Sequence, residues 1–174
     1  CDTGQRMILV FDSEDKFVDK FGHPKSCNPL DVAIAGDELL VADASGGEVE
    51  VWSKTGEVLR VIGRKGSGPD EMENPTNLDL GPDNRIYVTD SFLQTIKVYD
   101  LEGNFVDTIG GPGQAIGRFR RPKGIAVDPN GVVYIADAVH DTIQIFNSTG
   151  NLLMVLGTPG DKPYSMGIPA AISI

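Results

Sequence analysis

The sequence predicts an all-β chain in which a unit of four antiparallel strands is repeated. An aspartate that closes an apolar run recurs roughly every 45 residues, a spacing typical of one propeller blade. An aromatic residue follows each aspartate, a glycine ends the next apolar run, and a proline opens the following one. These observations predict a β-propeller with one blade per repeat. The recurring residues are Asp2, Asp43, Asp90 and Asp137; Phe11, Trp52, Tyr99 and Phe146; Gly22, Gly63, Gly110 and Gly157; and Pro29, Pro75, Pro122 and Pro169.

The last full repeat shows how a unit divides into strands. Residues 122–128 and 132–137 flank a D-P-N-G turn, which suits a tight reversal of the chain. Residues 142–147 alternate apolar and polar, as a half-buried strand does, and 151–156 complete the unit. No segment has a sustained 3.6-residue apolar period, so we predict no substantial helix. The aromatics at the repeated position are expected to be core wedges, and the repeated aspartates to cap loops.

The repeats divide a single domain, 1–174, into blade pieces. We expect three complete four-stranded blades plus parts of two more, because the chain begins at the end of a second strand and stops in a first strand. This favours an internal piece of a longer propeller, and a smaller ring closed imperfectly is the alternative. The pieces are 1–28, 29–74, 75–121, 122–168 and 169–174.

One repeat also resembles a known family. Residues 119–128 read F-R-R-P-K-G-I-A-V-D, 133–137 read V-Y-I-A-D, and 143–146 read I-Q-I-F. This pattern is similar to the NHL repeat, and the looser copies extend the resemblance over essentially the whole chain. The resemblance implies a propeller of about six blades and favours a bacterial protein that is secreted or periplasmic. The family's arginine before the I-Q-V-F strand is replaced here, by Thr142 in this repeat.

Composition limits the classes of partner. The formal net charge is −10, which argues against a general nucleic-acid binder, because such binding depends on neutralising phosphates. No apolar run is long enough for a transmembrane helix. Cys1 and Cys27 form neither a disulfide framework nor a metal spacing, and unpaired thiols are favoured over a bridge. No cofactor is predicted.

Topology predicts where a binding site would lie. In an up-and-down blade, the loop between the second and third strands emerges at the same end as the crossing to the next blade. This end, the long-loop face, carries every long loop of the sequence, and binding residues favour long loops on a rigid scaffold. The candidate binding residues are His23, Arg64, Arg118, Phe119, Arg120, Arg121, His140 and Asp141.

The densest positive charge surrounds Phe119. Arg118, Arg120 and Arg121, with Lys123, could bind an anion or RNA, with Phe119 stacking on a base. NHL relatives that bind RNA permit this interpretation. We favour another one, in which the basic residues pair with acids of the preceding crossing, at positions 70, 71 and 73.

Histidine is scarce, and this bears on catalysis. His23 and His140 lie about two and a half blades apart, so they do not supply the three protein ligands usual for catalytic zinc. Asp141 could orient the His140 imidazole, although a solvated neighbour pair is the more ordinary interpretation. We therefore favour a non-catalytic module that binds a protein partner through its long-loop face or open edges. The alternative is part of a six-bladed metal-dependent lyase or hydrolase with its remaining ligands outside this chain, and RNA binding is a weaker one.

Overall fold

The observed strands follow the predicted repeat. The structure, a computed structural model, describes residues 1–22, 27–158 and 165–174, and within these ranges strands are the only regular elements. Accordingly, the described residues contain no helix long and apolar enough to cross a membrane. The strands are β1 (Ile8–Phe11), β2 (Phe17–Phe21), β3 (Pro29–Ala35), β4 (Glu38–Asp43), β5 (Glu48–Ser53), β6 (Val58–Ile62), β7 (Pro75–Leu80), β8 (Arg85–Asp90), β9 (Thr95–Asp100), β10 (Phe105–Gly110), β11 (Pro122–Val127), β12 (Val133–Asp137), β13 (Thr142–Phe146) and β14 (Leu152–Leu156).

Consecutive strands pair into antiparallel sheets. The first blade is β3–β6, the second is β7–β10 and the third is β11–β14, while β1 and β2 form a two-stranded sheet. Each strand pairs with its neighbour in sequence, because short turns suffice to join antiparallel strands. The prediction of an all-β propeller with three complete four-stranded blades is confirmed. The described sheets do not close into a ring.

The innermost strands hold the blades side by side. β3 packs against β7, and β7 packs against β11. Asp31 Oδ2 accepts a hydrogen bond from the Leu78 N–H at 3.1 Å, and Asp79 Oδ2 accepts one from the Val127 N–H at 2.7 Å. Each carboxylate therefore ties one inner strand to the next, a link that the sequence analysis did not find.

The core lies between neighbouring blades. Trp52, Tyr99 and Phe146 are fully buried, as predicted for core wedges, and each packs on the side of the preceding sheet. Phe11 is 53% exposed, so this part of the prediction is wrong. No described sheet precedes β1, and the Phe11 ring instead lies edge-on to Phe17, with 6.1 Å between ring centroids.

The backbone repeats as strictly as the sequence does. The fourth residue after each repeated aspartate has a positive φ: 57° at Arg6, 65° at Gly47, 59° at Gln94 and 54° at Asp141. This left-handed conformation turns the chain between the second and third strands of a blade. The conformation is therefore required by the loop and is adopted even where the residue is not glycine.

The last predicted piece, 169–174, contains no assigned strand. Its backbone nevertheless lies against β11, since a Cβ at Gly124 would come within 2.7 Å of the Ala171 Cα. This close approach explains the glycine of the P-x-G-I-A-V-D pattern, because only glycine leaves room for a second backbone.

Candidate functional site

The long-loop face is built from crossings that fold back on themselves. In the crossing 63–74, a short parallel bridge pairs Lys65 with Met72, and in the crossing 111–121 a similar bridge pairs Pro112 with Phe119. The side chains of Met72 and Phe119 are fully buried, and the Phe119 ring packs 5.8 Å from that of Phe146. Phe119 thus anchors its crossing in the core. The less favoured interpretation, in which Phe119 stacks on a base, is wrong, because its ring has no exposed surface.

The repeated aspartates fasten these crossings to the blades. The buried Asp137 carboxylate accepts backbone N–H bonds from Arg120 and Arg121, at 2.8 and 3.0 Å. It also accepts N–H bonds from Val139 and His140, at 3.1 and 3.2 Å. The predicted loop-capping role is confirmed, because one carboxylate satisfies donors from both loops. The corresponding donors are the N–H groups of Glu73, Asn74, Phe92 and Leu93 for Asp90, and of Asn28, Ser45 and Gly46 for Asp43.

In the second and third blades, the middle residue of the third strand provides a second attachment. The Gln144 amide accepts from the Gly117 N–H at 2.8 Å and donates to the Arg118 carbonyl at 2.7 Å. The Lys97 ammonium donates to two carbonyls of the crossing 63–74, at 3.1 and 2.7 Å. Burial lowers the pKa of Lys97. These bonds hold the backbone of each crossing, so the exposed side chains of the crossings project from a defined backbone.

The acids of the crossing 63–74 pair within that crossing. Arg64 lies 3.2 Å from the Asp70 carboxylate and 2.9 Å from the Glu71 carboxylate. Lys65 lies 3.9 Å from Glu73. The predicted pairing of these acids with the basic residues around Phe119 is therefore wrong. These acids pair instead with cations of their own crossing, Arg64 and Lys65.

The basic segment is defined as Arg118, Arg120, Arg121 and Lys123. The three arginines are exposed, and Lys123 is half-buried. Among the described residues, no carboxylate oxygen lies within 4.0 Å of any of these four cations. Arg118 donates to the Gly110 carbonyl at 3.2 Å. The segment thus presents positive charge with no acidic partner in the part of the chain that is described.

His140 is oriented by a different acid from the one considered in the sequence. Its Nδ1 lies 2.9 Å from the Asp137 Oδ2. The Asp141 carboxylate instead accepts the N–H of Ile168 at 2.8 Å. The pairing of His140 with Asp141 is therefore wrong, because the turn after β12 directs the imidazole back toward the strand end. The spacing D-x-x-H was visible in the sequence and could have suggested the pair. His23 lies outside the described residues.

A group of acids surrounds Cys27 at the start of the first blade. The Sγ of Cys27 and oxygens of Asp43 and Glu50 lie within 4.8 Å of one another, and both cysteines are free thiols. Burial and then the nearby carboxylates, Asp43 first, raise the pKa of Cys27. Both carboxylates already have donors, three backbone N–H groups for Asp43 and the Trp52 indole at 2.8 Å for Glu50. Glu50 is the middle residue of the third strand of its blade, as Lys97 and Gln144 are of theirs. We therefore interpret the group of Cys27, Asp43 and Glu50 as part of the attachment of the segment before β3 to the first blade.

Replacing Glu48 by threonine is expected to stabilise the chain at neutral pH. Partial burial and the charges of Asp43 and Glu50 raise the pKa of Glu48 in the folded state. Because the pKa of Glu48 is higher in the folded than in the unfolded state, its ionised carboxylate disfavours folding at pH values above the folded-state pKa. This penalty disappears once the pH falls below the unfolded-state pKa. With screening by water, we expect a gain of about 0.5 kcal/mol at pH 7 that vanishes near pH 4. Thr95 and Thr142 occupy the same position in the other blades.

Urea unfolding of both proteins at several pH values measures this difference. Glu57→Gln, at an exposed turn, is the control for a change of charge alone. A gain that is independent of pH would contradict the electrostatic cause and indicate strand propensity instead.

A cavity lies along the innermost strands β3, β7 and β11, and its lining does not fit a metal centre. It has a volume of about 500 Å³ and is lined by the inner strands and by 172–174. The carboxylates that line it are Asp31 and Asp79, and both already accept N–H bonds from an adjacent inner strand. No described histidine or cysteine lines it. The residues present therefore support no metal chemistry at this position.

Solved structures share this architecture. Virginiamycin B lyase from Staphylococcus aureus matches with a TM-score of 0.73 and 16% identity, over 98% of this chain and 54% of that one. A structural genomics protein of unknown function from Bacteroides thetaiotaomicron matches with a TM-score of 0.77 and 16% identity, over 98% and 49%. A chain of the nidogen/laminin complex matches with a TM-score of 0.68 and 22% identity, over 90% and 61%. At these identities the likeness shows the fold, and this chain spans about half the length of the first two.

Family models agree with the architecture. A search of curated proteins gave no significant match. A family described as 6-bladed beta-propeller matches residues 25–112, half of the chain. The NHL repeat matches residues 119–146, the segment whose sequence pattern predicted it. The chain belongs to the 6-bladed β-propeller family and contains an NHL repeat.

Proposed function

We propose that this chain is a non-catalytic interaction module whose long-loop face binds an acidic segment of a protein partner. The observation that carries the proposal is the basic segment, in which no described carboxylate reaches the four cations. In a chain of net charge −10, such a segment is a local exception. Charge complementarity of this kind gives an interface its specificity and its association rate.

The surroundings of the basic segment favour protein over nucleic acid. Three large apolar side chains in loops of the same face are exposed, namely Phe92 at 70%, Ile116 at 73% and Val139 at 42%. Protein interfaces combine an apolar centre with a polar rim. The buried ring of Phe119 cannot stack on a base, and the overall negative charge opposes a long polyanion. The nidogen/laminin complex, which contains a chain of this fold, is consistent with a protein partner.

Reversing two charges of the basic segment is expected to weaken binding of an acidic peptide. The variant Arg120→Glu/Arg121→Glu should lower the affinity by roughly tenfold or more at low salt, because attraction becomes repulsion. Fluorescence anisotropy of a labelled peptide rich in glutamate and leucine measures this. The control is Lys16→Glu/Lys20→Glu, which makes the same change of net charge at two exposed residues of the β1–β2 hairpin, one in its turn and one in β2.

Two outcomes would overturn the proposal. Equal weakening by both double variants would mean that only net charge matters and that the long-loop face is not the site. Tighter binding of a single-stranded RNA than of the peptide, abolished by the Arg120→Glu/Arg121→Glu change, would assign the face to nucleic acid. A loss of affinity that is seen only in the Arg120→Glu/Arg121→Glu variant, and only for the peptide, supports the proposal.

A further inference from the structure

A cavity opens beside the basic segment, between the second crossing and the third blade. It has a volume of about 190 Å³ and is lined by residues 114–116 of the crossing, by His140, Thr142 and Gln144, and by Val155. The crossing that forms one wall is the one that carries Arg118, Arg120 and Arg121. A partner docked on the basic segment would therefore lie over the mouth of this cavity.

The two ring nitrogens of His140 have different surroundings in the described part of the chain. Its Nδ1 faces the Asp137 carboxylate at 2.9 Å, and that carboxylate, fully buried, accepts N–H bonds from both adjoining loops. In the neutral imidazole, a carboxylate at this distance favours the tautomer that carries its proton on Nδ1, which leaves Nε2 as a hydrogen-bond acceptor. Nε2 is buried and has no hydrogen-bond partner among the described residues. An acceptor already removed from water gains most from a donor supplied by a ligand.

The wall of the cavity also contains an unused hydroxyl. The Thr142 Oγ1 is buried and has no partner in the described part of the chain, and a hydroxyl can donate as well as accept. Thr95 holds the same place in the second blade, and its Oγ1 is equally unpaired. His140 is therefore the side chain that distinguishes this cavity.

The blade architecture does not require an imidazole at this position. The corresponding residue, three after the repeated aspartate, is Gly46 in the first blade and Leu93 in the second. The aspartate caps its loops in all three blades, with or without a histidine. His140 is thus free to serve recognition rather than folding.

We propose that the cavity receives a tyrosine side chain of the acidic partner segment, an inference that rests on the proposed function. The phenol would donate to the His140 Nε2 and accept from the Thr142 hydroxyl. Its ring would contact the apolar wall formed by Ala115, Ile116 and Val155. A hydroxyl on an aromatic ring meets both requirements at once, whereas an indole N–H can only donate.

The test compares two acidic peptides that differ only in one central residue, tyrosine or phenylalanine. We expect the tyrosine peptide to bind the wild-type chain about tenfold more tightly, the effect of a hydrogen bond made to a buried acceptor. The His140→Leu variant, which has the residue of the second blade, should bind both peptides equally. Thr142→Val should remove part of the preference. Arg120→Glu/Arg121→Glu should weaken both peptides and keep their ratio.

A second readout separates this inference from the proposed function. The ¹⁵N resonance of the His140 Nε2 is expected to shift on titration with 4-methylphenol and not with toluene, and the shift needs no acidic peptide. If the two peptides bind the wild-type chain equally, the tyrosine assignment is overturned while the charged surface stands. If no acidic peptide binds, the proposed function fails, and a 4-methylphenol shift would still support the cavity. Absence of that shift would overturn the cavity as a phenol site.

Discussion

Replacing Asp90 by alanine is expected to lower the free energy of unfolding by about 3–4 kcal/mol, because several buried N–H groups lose a charged acceptor at once. Asp90 has no exposed surface. It accepts N–H bonds from Glu73 and Asn74 before the second blade, at 2.6 and 3.3 Å, and from Phe92 and Leu93 after β8, at 3.0 and 2.9 Å. Its loss should release the crossing and the loop together.

Urea unfolding at pH 7 measures the change, and Asp100→Ala is the matched control. Asp100 ends β9 at the opposite end of the blade, where its carboxylate accepts the Asn104 N–H of the following turn at 2.7 Å. We expect its replacement to cost much less than that of Asp90, since the turn is exposed to water. Amide hydrogen exchange should accelerate at positions 73, 74, 92 and 93 in the Asp90 variant alone. Equal losses in the two variants would contradict the capping role.

Replacing Gly47 by alanine is expected to destabilise the chain by about 3 kcal/mol or more, because the new methyl group has no space. A Cβ at this position would lie 2.4 Å from the Met72 carbonyl oxygen and 2.9 Å from the Lys65 Cα. Both are backbone atoms of the first crossing, so they cannot move aside as the end of a side chain can. The φ of 65° adds strain for any residue with a side chain.

Gln94→Gly is the control for the strain alone. Gln94 occupies the same place in the second blade with a φ of 59°, and its own Cβ is already accommodated. Because this change removes only the strain of a Cβ at positive φ, we expect it to alter stability by no more than about 1 kcal/mol. Thermal unfolding of both variants separates close approach from backbone conformation. A Gly47 variant as stable as the wild-type chain would show that the first crossing can shift away.

The confirmed parts of the fold were those that depend on local order. The prolines, aspartates and glycines recur in fixed register, and each acts on the turn or strand in which it lies, so the strands and blades could be assigned one repeat at a time. The capping role of the aspartates was also predictable, because the same residue at the same place in every repeat indicates a structural task.

The failures concern contacts between segments. Phe11 matches the other aromatics in sequence, yet its exposure depends on whether another sheet covers it. The acids Asp70 and Glu71 pair with Arg64 and not with the basic segment, because Arg64 lies in the same crossing as these acids. Asp137 and Asp141 were both near His140 in sequence, and only the direction of the turn after β12 selects between them.

The amino-acid sequence by itself determined the repeated four-stranded unit, its turns and the end of the blades where the long loops gather, because apolar periodicity and turn chemistry act over a few residues. The tertiary structure alone decided which cations of the long-loop face have no acidic partner among the described residues and which ring nitrogen of His140 is unpaired there. Those properties depend on distances between loops from different parts of the chain, which exist only once the blades have packed together.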